Sequence, residues 1–329
     1  ASNQYTKFIS TFGNINMYAS YLSISIPVLL AVFAFCKNWF SRILSGILLI
    51  AAGCNILIAN SDSVFLGIFA GVVVVTILAF MQGRLRYSSF AVFLLFVGNL
   101  VLGFINKYGH TRYDKKRGGL AIALNRLDIA FVLCGAALLV FAVVCVCNWK
   151  LGTRVAAWNK KKIVLIVCGA CVALGVIGII VLAVTGSSLL TFNDKWGSYR
   201  GYIWRKIVEV YGDAPFVNKL FGYGNESVRV TLKAACYNEM VQVTGKVYDN
   251  AHNELLQYLF TTGIVGLLSY LALVGSSIVY MFKHAKEHAW ISVCLAATVG
   301  YFAQSILNLN QPITTPLFFV FMAMGVGTV

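Results

Sequence analysis

The chain has 329 residues, 59% of them hydrophobic and 11% charged, with a formal net charge of +15 and a mean hydropathy of +0.80. Soluble domains carry roughly 25% charged residues, so the composition excludes an ordinary soluble protein and points to a membrane protein. Such a basic balance would suggest nucleic acid in a soluble chain; here topology and anionic membrane lipids account for it, and no nucleic acid is expected.

A helix needs about 20 apolar residues to cross a bilayer. Nine segments are read as spans: Ile15–Cys36, Ile43–Asn60, Val64–Met81, Phe90–Ile105, Ile129–Trp149, Ile163–Val184, Leu255–Phe282, Ile291–Leu309 and Leu317–Val329. The expected fold is all-α, a polytopic transmembrane helical bundle. Residues 1–184 would hold spans one to six with a basic outer loop at 106–128, residues 185–254 a large extracytoplasmic loop carrying short helices, and residues 255–329 spans seven to nine. The chain opens on Ala1 rather than Met, and its last apolar segment has no polar flank. Both ends therefore read as cut from a longer chain with further N-terminal spans. Eight of the nine cysteines fall inside spans and only Cys236 in a loop. They read as small packing residues rather than as a disulfide framework or a metal set.

Short loops orient a bundle by their cations. Segments 37–42, 82–89, 150–162 and 283–290 carry Lys37, Arg42, Arg84, Arg86, Lys150, Arg154, Lys160, Lys161, Lys162, Lys283 and Lys286. Strict alternation puts all of them on the cytoplasmic side. Segment 106–128, with Lys107, Arg112, Lys115, Lys116, Arg117 and Arg126, then falls outside. Either a span is miscounted, or those cations meet an anion there.

The long outer loop differs in kind. It holds seven of the chain's eleven acidic residues, and a loop of this length usually has a function or its own structure. After Arg200, the residues Trp204, Ile207, Val208 and Tyr211 recur at helical spacing. That helix should stop near Asp213-Ala-Pro215, because a proline disfavours helical geometry at the residue before it. Gly222-Tyr-Gly224 reads as a turn.

His252-Asn253 opens the apolar segment that follows this loop. An ionisable group at the mouth of a membrane helix is read as functional by default. With Asp249 or Asn250 as N-cap, His252 would sit in the first helical turn. The helix dipole there disfavours an imidazolium, while Asp249 favours one, and the two effects oppose. Gly263 and Gly266 project to nearly the same helix face at about 100° per residue, leaving a smooth surface below the imidazole. Arg200, in Gly197-Ser-Tyr-Arg-Gly-Tyr-Ile-Trp204, offers a planar, permanently charged fork for phosphate, with Trp204 one turn on. Arg205, Arg229 and Lys233 are further candidates for a pyrophosphate clamp. The plainer readings are an interfacial histidine, an arginine–tryptophan membrane anchor and solvated surface cations.

Other chemistries lack their motifs. No Gly-rich phosphate loop ends in Gly-Lys-Ser/Thr, and no Asp-x-Asp pair is present to hold a metal and a nucleotide-sugar. His284 and His288 have zinc-like spacing but sit in a short cytoplasmic turn, and His110 lies in the basic loop, so no metal and no cofactor are expected.

Three stretches resemble the O-antigen ligase/polymerase superfamily of bacterial membrane glycosyltransferases. One is His252-Asn253 followed after nine residues by Gly263-Ile-Val-Gly266. Another is Arg200-Gly-Tyr-Ile-Trp204 with Pro215 and Gly222-Tyr-Gly224 downstream. The third is Phe12-Gly-Asn-Ile-Asn-Met-Tyr-Ala19, like the family's Phe-Gly-Asn-Pro-Asn stretch. Ile15 replaces the usual proline, and Lys7 stands where an arginine often occurs. The resemblance implies a GT-C-like bundle of about twelve spans when complete. It implies a glycan donor on undecaprenyl pyrophosphate and transfer, without metal, to a saccharide or lipid-linked acceptor on the outer face of the bacterial plasma membrane. Arg200 would bind the pyrophosphate and His252 would act on the acceptor hydroxyl. Asn253, Trp204, Arg205, Arg229, Lys233, Arg112, Arg117 and Asn16 would line the substrate, with Arg112, Arg117 or Lys7 as a second cation. Ligase and polymerase differ only in the acceptor.

The competing class is a transporter or flippase of a lipid-linked anionic saccharide. It would place ionisable groups at mid-membrane, whereas the spans here hold little beyond Asn55 and Asn99, and charge gathers at one face.

Overall fold

A computed structural model describes residues 12–59, 61–108, 126–156 and 193–327. Among these residues every regular element is helical, and no strand occurs. The helices are α1 (Ile15–Phe35), α2 (Trp39–Ala59), α3 (Asp62–Met81), α4 (Leu85–Tyr108), α5 (Leu127–Ala156), α6 (Trp196–Gly212), α7 (Phe216–Phe221), α8 (Ser227–Thr244), α9 (Glu254–His284), α10 (Ala289–Ser305) and α11 (Thr315–Gly327). Six of them, α1 to α5 and α9, are long and apolar enough to cross a membrane. The chain is a multi-pass, all-α membrane protein. The expected sixth span, Ile163–Val184, and the candidates Arg112, Arg117, His110 and Lys7 lie outside the described residues. The expected eighth and ninth spans are α10 and α11, apolar but shorter at 17 and 13 residues. Nine full spans are therefore not reached among the described residues.

The chain divides into two compact units. One comprises Ala1–Ala157 with Val274–Val329, the other Trp158–Leu273. The first unit is built around α1, which packs on α2, α3, α4 and α10. Two close approaches set its spacing. Gly53 of α2 and Gly98 of α4 face each other, and an added Cβ on either would run into the partner's backbone, at Leu95 and Ile50 respectively. Gly67 of α3 and Gly300 of α10 both abut Ser23 of α1 in the same way. Small residues at helix crossings are how membrane helices gain van der Waals contact when lipid is as apolar as the side chains.

Several polar groups in this unit are paired across helices. Ser20 donates to Gln304 at 3.1 Å, Gln304 to Ser63 at 3.3 Å, and Asn308 to Ser20 at 3.2 Å and to the Asn16 carbonyl at 3.3 Å. At the opposite end, Arg84 donates to the Ala34 and Phe35 carbonyls at 3.3 and 2.7 Å. A cation there satisfies the last turn of α1 and complements its dipole. A cavity of about 350 Å³ is lined by apolar side chains such as Ile56, Phe65, Leu95 and Phe96, with Asn99 at its wall.

The second unit has its own core of Tyr202, Ile203, Ile207, Val228, Leu232, Met240, Tyr248, Ala251 and Phe260. The buried stripe of α6 is Tyr202, Ile203, Lys206 and Ile207. Val208, read from the sequence as part of that stripe, is instead 56% exposed. As expected, α6 stops just before Asp213 and Pro215. Its polar flank is tied to α8 by Lys206, which reaches Glu209 at 3.1 Å and Glu239 at 2.8 Å.

The largest departure from expectation is in α9, read as one continuous span. It is broken at Gly263, whose φ of 68° and ψ of −172° belong to a region that only glycine occupies readily. The Tyr258 and Tyr270 rings stack with centroids 4.2 Å apart, and the Tyr270 hydroxyl reaches Glu254 at 3.1 Å. In a straight helix those two pairs would be separated by about 18 and 24 Å along the axis. The first part, Glu254–Thr262, thus bends back beside the second. Ile264–His284 remains as the spanning part, about 31 Å long at 1.5 Å per residue.

The break frees the Phe260 and Thr261 carbonyls from their helical partners. The Tyr223 and Gly224 amides take them, at 3.0 and 2.9 Å. Gly222, with φ 77°, sits so close to Thr261 and Thr262 that a Cβ there would collide with their backbone, and Gly263 is equally tight against Leu220 and Phe221. Gly222-Tyr-Gly224 is indeed a turn, and the tertiary structure adds its docking onto the break. The smooth face expected from Gly263 and Gly266 is not formed, because Gly263 leaves the helix to admit another backbone.

Candidate active site

Two loops of the second unit meet with backbone in unusual conformations. Before Arg200, the residues Gly197, Ser198 and Tyr199 have φ of 57°, 60° and 72°. His252 has φ 49°. Left-handed geometry at non-glycine residues stores strain and is held only where surrounding contacts enforce it. Those contacts are specific. The Tyr248 hydroxyl donates to the Ser198 carbonyl at 2.9 Å, and the Trp204 indole N–H donates to the Ala251 carbonyl at 2.9 Å. Ala251 N–H in turn donates to Gln257, and His252 N–H to the Asn250 side chain, at 2.9 and 3.1 Å.

His252 is therefore not in the first turn of α9, as the sequence suggested. The helix starts later, and Asn253 acts as its cap by accepting from Leu256 N–H at 3.0 Å. Asp249 and Asn250 do not cap it. The left-handed turn at His252 is incompatible with helix, so the cap shifts to the next residue able to supply a side-chain acceptor.

The imidazole lies edge-on to the Tyr248 ring, with centroids 5.8 Å apart. Its Nδ1 is buried with no hydrogen-bond partner in the protein. Burial first, then the charges of Arg200 and Lys246, push its pKa down to about 4, with Asp249 opposing. His252 is neutral at pH 7, because desolvation and two cations outweigh one carboxylate. Burial raises the Tyr248 hydroxyl, and Arg200 acts against that rise. Arg200 thus acts on both rings, while the Lys246 ammonium stands 4.4 Å from the Tyr248 ring centroid.

The structure brings together Arg200, Trp204, His252 and Asn253 of the residues singled out from the sequence. Others have surroundings of their own. Arg205 is bonded to Asp194 at 3.1 and 2.9 Å and lies within 3.8 Å of Glu239. Arg229 and Lys233 are exposed on α8, with Lys233 over the Tyr237 ring. Asn16 belongs to the first turn of α1, in the other unit. Lys246 and Tyr248 were not expected. They lie in a short irregular stretch after α8, where no helical period marks a face, and only the contacts above give them a role. Among the described residues no three histidine, cysteine or acidic side chains gather as a metal set. His284 Nδ1–H donates to the Tyr280 carbonyl of its own helix at 2.9 Å.

Residues 118–271 match the family model described as O-antigen ligase, a stretch that includes both Arg200 and His252. This match supports placing the chain in the O-antigen ligase/polymerase superfamily. No curated protein matches the chain. The superfamily assignment supports an enzymatic, glycan-handling role, and the strained His252–Arg200 junction lies inside the matched stretch.

Proposed function

We propose that this member of the O-antigen ligase/polymerase superfamily transfers a glycan from undecaprenyl pyrophosphate to an acceptor hydroxyl at the outer face of the plasma membrane. The observation that supports it best is a neutral imidazole whose buried Nδ1 has no hydrogen-bond partner in the protein, acted on by the two cations Arg200 and Lys246. In this reading the acceptor oxygen attacks the anomeric carbon, and the bond from that carbon to the pyrophosphate oxygen breaks. The proton of the acceptor hydroxyl passes to His252. The electron pair leaves with undecaprenyl pyrophosphate, whose growing charge Arg200 and Lys246 offset. Lys246 fills the place of the second cation that the sequence left to Arg112, Arg117 or Lys7.

A base with a pKa near 4 is weak, but it is neutral and able to accept. A diphosphate seated on Arg200 and Lys246 cancels the charges that depress it, so the imidazole becomes more basic as the donor binds. No nucleotide is called for, since the sugar arrives activated.

The test is transfer by the reconstituted enzyme from a defined undecaprenyl-pyrophosphate oligosaccharide, with products read by mass. His252→Ala should lose roughly 10²–10⁴ in rate. Arg200→Lys should fall well below the parent, because an ammonium lacks the planar fork, and Lys246→Ala should chiefly raise KM for the donor. Unchanged transfer by His252→Ala, or flipping of the donor without covalent transfer, would overturn the reading. A ladder of chain lengths identifies a polymerase, a single addition to a foreign acceptor a ligase.

A further inference from the structure

Helix α7 presents an apolar face that is exposed among the described residues. Phe216, Val217 and Phe221 are 73%, 65% and 62% exposed, and the helix contains no acidic residue, only Lys219. Three exposed large hydrophobics in six residues would be costly in water.

Where α7 is anchored identifies what covers that face. Its C-terminal end abuts the break of α9, with Leu220 and Phe221 backbone in van der Waals contact with Gly263. The Tyr223 and Gly224 amides bond to Phe260 and Thr261 just before the break. Tyr211, at the end of α6, donates to the Lys219 carbonyl. The helix is thus fixed level with Ile264, the first residue of the spanning part of α9. Ile264, Val265 and Leu268, on that first stretch, are themselves exposed, as lipid-facing residues of a span are. The exposed apolar side chains of α7 thus lie next to the exposed apolar start of that span.

We propose that α7 is a wedge lying in the outer boundary of the bilayer, with Phe216, Val217 and Phe221 among the acyl chains of membrane lipid. Lys219 reaches from it toward the headgroups, as long basic side chains do at such depths. The backbone bonds to the α9 break hold the wedge at fixed depth, so the second unit is seated on the membrane at a point other than its spanning helix. This role does not depend on the transfer reaction proposed above.

The test uses the full chain in vesicles of phosphatidylethanolamine and phosphatidylglycerol. A photoreactive p-benzoylphenylalanine replaces Phe216, Val217 or Phe221 in turn, and Val230 of α8, 71% exposed, serves as the reference. These positions are exposed, so folding is not at stake. The expected result is acyl-chain adducts, located by tandem mass spectrometry, several-fold more abundant at all three wedge positions than at Val230. Adduct yields equal to the reference, or cross-links to a second copy of the chain in place of lipid, would overturn the proposal, whatever the transfer assay gives.

Discussion

At the scale of single residues, His252 has an ordinary side chain in an environment that changes its chemistry. Burial and the charges of Arg200 and Lys246 lower its pKa from 6.5 to about 4. The sign of the linked stability effect follows. The unfolded chain takes up a proton below about 6.5, while the folded chain resists until about 4. Stability is therefore full above the upper value and is lost as pH falls through that window. Thermal midpoints in detergent should decline from pH 7 to pH 4.5 more steeply for the parent than for His252→Gln, which has no such proton to bind. For the reaction, kcat/KM should keep its value down to pH about 5 and drop near 4, and the acid limb of kcat should lie higher because bound diphosphate offsets the two cations. An acid limb of kcat/KM near 6.5 would mean that the imidazole is solvated.

At the scale of elements, the break in α9 decides more than any helix does. Its cause is one residue. Gly263 adopts a backbone conformation closed to other residues and leaves room for the Leu220 carbonyl at the same point. Gly263→Ala should lower stability by at least the roughly 1–3 kcal/mol that such backbone strain costs. It should also weaken the pairing of Tyr223 and Gly224 with α9, seen as faster amide exchange at those two residues. A variant with unchanged exchange there would show that the turn docks without the break. The sequence reading had the residue right and its purpose wrong. A glycine in an apolar run is equally suited to a smooth packing face and to a chain reversal, and no local period tells them apart.

For the whole molecule, the first unit depends on backbone-to-backbone spacing between membrane helices. Gly98 on α4 meets the Ile50 carbonyl of α2, so Gly98→Val must push the two helices apart. Overpacking of this kind costs typically 1–3 kcal/mol, and the variant's thermal midpoint should fall while a Val at Gly135, where a Cβ meets nothing, leaves it unchanged. Equal midpoints would mean that the α2–α4 contact is not needed for the folded bundle.

Much of this protein was determined by its sequence alone. Hydrophobicity accumulates along a helix without regard to distant residues, so the all-α, multi-pass character and the stop of α6 before Pro215 were legible, while the break in the seventh expected span and the shortness of the last two were not. Arg200 and His252 stood out as candidates, because ionisable groups beside apolar stretches are costly. Only the tertiary structure decided what surrounds them. Tyr248 bonds Ser198 and Trp204 bonds Ala251 across about 50 residues of chain, and those contacts hold the left-handed turns that bring guanidinium and imidazole together. Such turns are locally unfavourable, so no local rule predicts them; they exist because packing elsewhere outweighs their strain.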